Sequence, residues 1–305
     1  MNISIYKRVV KTLDFYVKDE GFKQDIKNQL MKKEHEGFKF SELLLLHYKL
    51  FGGNSTDNII KAMASIECLM LSLDIIDDIQ DEDNSYTKEN SLDTSNLLNI
   101  STMLTFVSHN LLFSINHPFK NEILNYYNSL TIKGIEGQHF DVNNKILNES
   151  QYIEMVKNKA GSFTVLASLI GAELATNSYP HHLIAEYSMY LGLASQLLND
   201  ANDVKRLGEK SDIFKKRMTL PILFILEHPN PKIRLIKSYF SDEITYSELY
   251  ERKIEVINEI LDSKSIEYTL IQRELYLKKG FKVAQSIPFL NLEQKPKLLQ
   301  LLKGV

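Results

Sequence analysis

The sequence predicts an all-α protein, on three observations. All seven prolines lie at Pro118 or later and glycine is scarce, 12 in 305 residues, so the N-terminal part of the chain holds few strong helix breakers. Apolar residues recur at three- and four-residue steps, while the strict alternation of a half-buried strand is hard to find. The breakers that do occur are gathered in short clusters between the periodic stretches.

Taken in order, the periodicity predicts helices over Ile5–Phe15 and Ile59–Ile76, the second preceded by the turn Gly52-Gly53-Asn54. Leu97–Ile115 is closed by Asn116-His117-Pro118, and Ile123–Phe140 follows it. Tyr152–Ala175 ends at Asn177-Ser178-Tyr179-Pro180, and Leu183–Leu198 comes next. His228-Pro229-Asn230-Pro231 breaks the chain again before Ile254–Leu277. The reading is about ten to twelve helices and no sheet. No linker, repeat or low-complexity tract interrupts them, so residues 1–305 are expected to form a single domain.

Composition narrows the function classes. With 36 basic and 39 acidic residues the net charge is −3, which gives no general reason to expect nucleic acid. The one cysteine, Cys68, lies in the apolar run SIECLMLSL, so neither a disulfide framework nor a cysteine metal site is expected. The N-terminus MNISIYKRVVKTLDFY spreads its charges among apolar residues, unlike a signal peptide, and no stretch of about 18 uninterrupted apolar residues exists to span a bilayer. Asn54-Ser55-Thr56 matches a glycosylation triplet but reads as a turn, and the expected compartment is the cytoplasm.

Chemistry concentrates in LDIIDDIQDEDN, Leu73 to Asn84, which carries six carboxylates in twelve residues. Asp74, Asp77, Asp78 and Asp81 stand at i, i+3, i+4 and i+7, so a helix aligns them on one face, where like charges repel. Ile75, Ile76 and Ile79 continue the apolar pattern, which suggests a packed helix whose acidic stripe lines a cavity and is resolved by cations. Mg2+ suits such a stripe, because it prefers carboxylate oxygen and completes its shell with water and substrate phosphate. A solvated acidic helix end reads the stripe equally well on its own. A second acidic run, Gln196 to Asp203, follows the apolar stretch MYLGLAS and sets Asn199 and Asp203 one turn apart. Two such runs facing one another in a helix bundle could hold divalent ions around a diphosphate. A departing diphosphate also needs cations, and Lys159, Lys215, Lys216 and Arg217 are candidates, each a surface cation if taken alone.

These residues resemble the trans-isoprenyl diphosphate synthases from about Gly37 to Pro221. Glu67 stands ten residues before Asp77-Asp78-Ile79-Gln80-Asp81, as a Glu does before the family's DDxxD. Gly137-Gln138-His139-Phe140-Asp141 is similar to its GQxxD, and Lys159 to Ala172 to its KTxxL…GA helix. Gln196 to Asp203 resembles the second aspartate-rich motif, and Ser211-Asp212-Ile213 with Met218-Thr219-Leu220-Pro221 resembles the segment after it. The resemblance implies the isoprenoid-synthase-type helical bundle around a central cavity, usually dimeric, and Mg2+-assisted ionisation of an allylic diphosphate. It implies that Asp77, Asp78, Asp81, Asn199 and Asp203 hold Mg2+, that Lys159 and Arg217 clamp the diphosphate, and that Gln138 and Asp141 line the same cavity. Alone, Glu67 reads equally as a local cap, Gln138 as the partner of a buried backbone group, and His139 as a packing or hydrogen-bonding residue. Ser72 and Leu73 correspond to positions that limit prenyl length in the related synthases.

Two departures change the expected acceptor. The family's second diphosphate site uses two arginines soon after DDxxD and a GGKRxRP segment near the N-terminus. Here those regions read Asn84-Ser85-Tyr86-Thr87 and Glu36-Gly37-Phe38-Lys39-Phe40-Ser41-Glu42, with one lysine and no arginine. Losing guanidinium forks should weaken isopentenyl diphosphate binding severely. In the second motif Asn199 stands where a metal-binding Asp is usual, a neutral and weaker oxygen ligand. Within the superfamily the pattern, and the string DIIDDIQDEDN, look like the bacterial competence-pheromone isoprenyltransferases. That resemblance implies transfer of a geranyl or farnesyl group to a tryptophan-containing precursor peptide. An elongating polyprenyl synthase, a terpene-cyclase-like enzyme and a non-catalytic scaffold subunit are the alternatives.

Overall fold

The computed structural model describes residues 2–54, 57–81, 92–206 and 211–304. Fifteen α-helices and one π-helical turn occur among the described residues, and no strand. They are α1 (Asn2–Tyr16), α2 (Glu20–Glu36), α3 (Lys39–Leu50), α4 (Asp57–Gln80), α5 (Thr94–Phe113), α6 (Lys120–Val142), α7 (Glu149–Val156), the π turn (Lys157–Gly161) and α8 (Ser162–Ala175). There follow α9 (His181–Asp203), α10 (Leu220–Glu227), α11 (Leu235–Phe240), α12 (Tyr246–Glu251), α13 (Lys253–Ser263), α14 (Ser265–Gln285) and α15 (Lys295–Leu301). Among the described residues no helix is long and apolar enough to cross a membrane.

The four breaker clusters all fall between helices, as expected. Two predicted helices are interrupted instead. Tyr152–Ala175 contains the π turn, and Ile254–Leu277 is divided at Lys264, whose φ of 62° is left-handed. Neither break has a proline, and the glycine at the π turn, Gly161, is its last residue, so periodicity ran through both.

The chain divides into two compact units, the first comprising Met1–Leu130, Leu166–Ala185 and Pro288–Leu298. At its core lies α4, buried almost all round from Ala62 to Ser72, as expected of a helix apolar on every face. α1 packs Ile5, Val9 and Leu13, each at most 1% exposed, on the i, i+4, i+8 face. α4 and α5 run antiparallel, fixed by two reciprocal serine pairs. Ser65 Oγ donates to Ser108 O at 2.8 Å and Ser108 Oγ returns the bond to Ser65 O at 2.7 Å. Ser72 and Ser101 repeat the exchange at 2.9 and 3.0 Å. Ser72, the expected chain-length position, is therefore committed to α5, where it also meets Thr105 Oγ1 at 2.7 Å. Gly171 of α8 lies against α3, and a Cβ there would sit 2.2 Å from Leu44 O.

The second unit comprises Thr131–Val165, Glu186–Ile287 and Leu299–Val305. One cluster gathers Val204, Ile213, Phe214, Ile222, Ile236, Leu249, Val256 and Ile260. Another joins Tyr152, Val156, Leu193, Leu197, Leu220 and Leu223. Buried Glu259 stitches the short helices together by accepting from Arg234 N and Leu235 N at 2.8 Å and Ile236 N at 3.0 Å. These N–H groups at the start of α11 would otherwise have no partner.

Candidate active site

In the first unit, the last turns of α4 carry Asp74, Asp77 and Asp78, and Asp81 follows with its N–H bonded to Asp77 O at 2.8 Å. All four are half-buried, neither sealed in the core nor fully solvated. Asp74 does not act like the others: its Oδ2 accepts from Lys33 Nζ at 2.5 Å, a lysine from α2 that is itself mostly buried. Four carboxylates on one face thus become one ion pair and three further aspartates.

Ten residues before Asp77, Glu67 is fully buried. Its Oε1 accepts the Ser41 backbone N–H at 2.6 Å in the first turn of α3, and its Oε2 is buried without a hydrogen-bond partner. Burial pushes this carboxyl up to about 7, against the opposing pull of the Ser41 bond and the Lys33 charge. The segment Glu36–Glu42 around it ends α2 at Gly37, φ 95°, and begins α3. Its single lysine, Lys39, is exposed, while Phe38 and Ser41 are the fully buried members. The region of Asn84–Thr87 lies outside the described residues, as do Glu82 and Asp83.

In the second unit, Lys159 stands on the π turn with its Nζ 2.7 Å from Asp141 Oδ2 of α6. The turn is seated closely: at Gly137 a Cβ would fall 2.4 Å from Lys159 N, so glycine lets α6 approach the turn's backbone. Gly161 and Gly192 do the same between the turn and α9. A π turn in this position widens the helix by one residue and re-aims what it carries. Gln138 and Asp141 share α6 with Gly137, both half-buried, while His139 is exposed.

The end of α9 holds Asn199, exposed, and Asp203, paired with Arg206 at 2.9 Å. Between them Asp200 is buried, accepting from Tyr152 Oη and, at 2.8 Å, from Gln196 Nε2. Burial raises Asp200 to about 6 in spite of these bonds. Asp212 is raised to about 7, first by burial and then by Asp200, Asp203 and Asp141, so four carboxylates share one neighbourhood. Of the basic run, Lys215 acts on Asp212, whereas Lys216 is spent on Asp242. Asn144, φ 49°, braces the Arg217 backbone from both sides, donating to Lys216 O at 2.8 Å and accepting from Met218 N at 3.2 Å. Asp200, Asp212, Tyr152 and Asn144 were not singled out as site residues from sequence. Asp200, one turn after Gln196, was the legible one.

The donor set fits Mg2+. Every candidate ligand is a hard oxygen, and no cysteine or histidine belongs to either run. Among the described residues no three His, Cys, Asp or Glu side chains converge to hold an ion by themselves.

Residues 40–257 match the polyprenyl synthetase family. The chain is 33% identical to the "Tryptophan prenyltransferase ComQ" of Bacillus subtilis subsp. natto, over 98% of this chain and 93% of that protein. It is 31% identical to the protein of the same name from Bacillus subtilis strain 168, over 93% of each. In fold it is similar to a crystal structure of geranylgeranyl pyrophosphate synthase, with a TM-score of 0.80 at 20% identity, covering 99% of this chain and 98% of that one. With the aspartate run ending α4, the second run ending α9 and the Lys159 turn in family order, this all-helical chain has the isoprenoid synthase fold and belongs to the polyprenyl synthetase family, as a prenyltransferase.

Proposed function

We propose that the chain transfers a geranyl or farnesyl group from its diphosphate to a tryptophan of a small precursor peptide. The observation that carries this reading is the segment Glu36–Glu42. A second diphosphate would need guanidinium forks there, and the segment carries one exposed lysine, Lys39, and no arginine. A segment without guanidinium forks suits a neutral acceptor better than a second diphosphate. The tryptophan prenyltransferases named above support the choice of indole; the chain itself contains no tryptophan, so the modified ring belongs to a partner.

In the first unit Asp77, Asp78 and Asp81 would hold Mg2+, and in the second unit Asn199 and Asp203 would; the chemistry such an ion supplies when bound is neutralisation of a departing diphosphate. In the second unit Lys159 and Arg217 would add cationic donors to a departing diphosphate, and Gln138 would orient it. The allylic C–O bond breaks with its electron pair on diphosphate, and indole C3 attacks the carbocation. The backbone nitrogen of the tryptophan then closes on C2 and releases its proton to diphosphate or a carboxylate. Indole needs no prior ionisation, so holding C3 against the cation is the main demand on the protein.

The test is to incubate the full chain with farnesyl or geranyl diphosphate, Mg2+, and either isopentenyl diphosphate or a tryptophan-bearing peptide, and to weigh the products. A prenyl mass added to peptide is expected. A longer diphosphate would establish an elongating synthase, a free hydrocarbon a cyclase, and no product with any acceptor would favour a scaffold.

We also propose a homodimer, with the second copy on the outward face of α5. Phe106 and Phe113 are 70% and 56% exposed there and, with Tyr16 and Met103, border a groove of about 400 Å³. Apolar side chains this large and this exposed mark an interaction surface. Phe106→Glu is expected to convert the dimer to monomer in sedimentation velocity, and an unchanged sedimentation coefficient would refute the placement.

A further inference from the structure

We propose that the Lys33–Asp74 pair sets the divalent-ion affinity of the acidic run on α4, by taking Asp74 out of the carboxylates from which an ion draws its ligands. Asp74 precedes Asp77 and Asp78 by one helical turn, close enough for its charge to be felt by anything bound there. Lys33 reaches it from α2, 41 residues earlier, with Nζ at 2.5 Å from Oδ2 and only 15% of the lysine side chain exposed. A lysine at an open surface would gain little from such a pair, but a buried ammonium needs its counter-ion. Glu67 and Glu36 also act on Lys33 electrostatically, yet among the described residues only Asp74 bonds it.

The consequence is a matter of sign. Intact, the pair is neutral beside the aspartates. Deleting the lysine leaves an extra negative charge next to the ion site and frees a fourth carboxylate, so binding should tighten. Deleting the carboxylate instead leaves an uncompensated ammonium, so binding should weaken. A simple structural bolt between α2 and α4 would behave differently, since cutting it from either side would loosen the helix and weaken binding in both cases.

This inference rests on the metal reading of the proposed function, and one titration separates the two. Mn2+ is added to the full-length protein and free Mn2+ is followed by electron paramagnetic resonance. Lys33→Met is expected to tighten the dissociation constant roughly tenfold and Asp74→Asn to weaken it roughly tenfold, as a unit charge one turn away in a wet site would. The double variant should return close to wild type, and Lys33→Arg should stay there. Two single variants that shift in the same direction, or neither shifting, overturn the proposal. Asp77→Asn/Asp78→Asn serves as the control: if it leaves wild-type Mn2+ binding intact, the metal reading falls and this inference with it. If it abolishes binding while Lys33→Met changes nothing, only the inference falls.

Discussion

Asp77→Ala and Asp81→Ala are each expected to lower turnover of the prenyl diphosphate by about three orders of magnitude, the scale on which loss of one charge-stabilising group acts in a preorganised site. Neither should unfold the protein. Both side chains are half-buried at the end of α4, outside the sealed stretch from Ala62 to Ser72, and alanine is at least as good a helix former. The Asp81 N–H to Asp77 O bond is backbone and survives either change. Removing one negative charge from a like-charged face relieves repulsion, so the melting temperature should hold or rise slightly. Product formation under saturating Mg2+, beside a thermal melt, makes the measurement. Wild-type turnover by either variant would refute the assignment of these residues to the metal. Lost turnover with a collapsed melt would say the run is structural.

The sequence carried the local layers of this fold well and the long-range ones poorly. Helix type follows from spacing within a dozen residues, so α1, α4, α5, α6 and α9 were legible as helices, with their ends one to five residues from the predicted bounds. The break at Lys264 was not, because a lysine in a left-handed conformation leaves no compositional mark. The acidic face of α4 was legible as a helix face. That Lys33 would claim Asp74 was not, since nothing in the spacing of α4 points to a residue of α2. Lys159 was read as a diphosphate clamp or a surface cation, and its partner Asp141, quoted in another motif, sits 18 residues away on α6. Lys215, Lys216 and Arg217 were alike as candidate cations until Arg217 alone was assigned to the diphosphate. The left-handed Lys216 sends its ammonium to Asp242, and Asn144 fixes the backbone on either side of Arg217. For the charged residues what escaped was in each case a tertiary partner.

Glu67 shows the same limit and yields a measurable consequence. From sequence it read equally as a motif residue or a local cap; it is a cap, but of α3, through Ser41, 26 residues away. Its carboxyl is raised from the ordinary range of 4.5 to about 7, chiefly by burial. Below the lower value the folded and unfolded chains both hold the proton. As pH rises toward 7 the unfolded chain releases it while the folded chain keeps it, so stability falls across this window and levels off above it. For one buried carboxyl the loss is about 3 kcal/mol. Glu67→Gln removes this titration. Its amide oxygen still accepts the Ser41 N–H, while the amide nitrogen replaces an Oε2 that already has no partner, a pH-independent cost of about 1 kcal/mol. The variant is therefore expected to be slightly less stable than wild type at pH 5 and about 2 kcal/mol more stable at pH 8, the curves crossing between. Urea unfolding at both pH values measures this. Because Asp200 and Asp212 titrate in both proteins, the difference between the two isolates position 67. Parallel stability curves for wild type and Glu67→Gln would mean that the carboxyl is ionised in the fold, and that an anion at the head of α3 is tolerated for some reason other than neutrality.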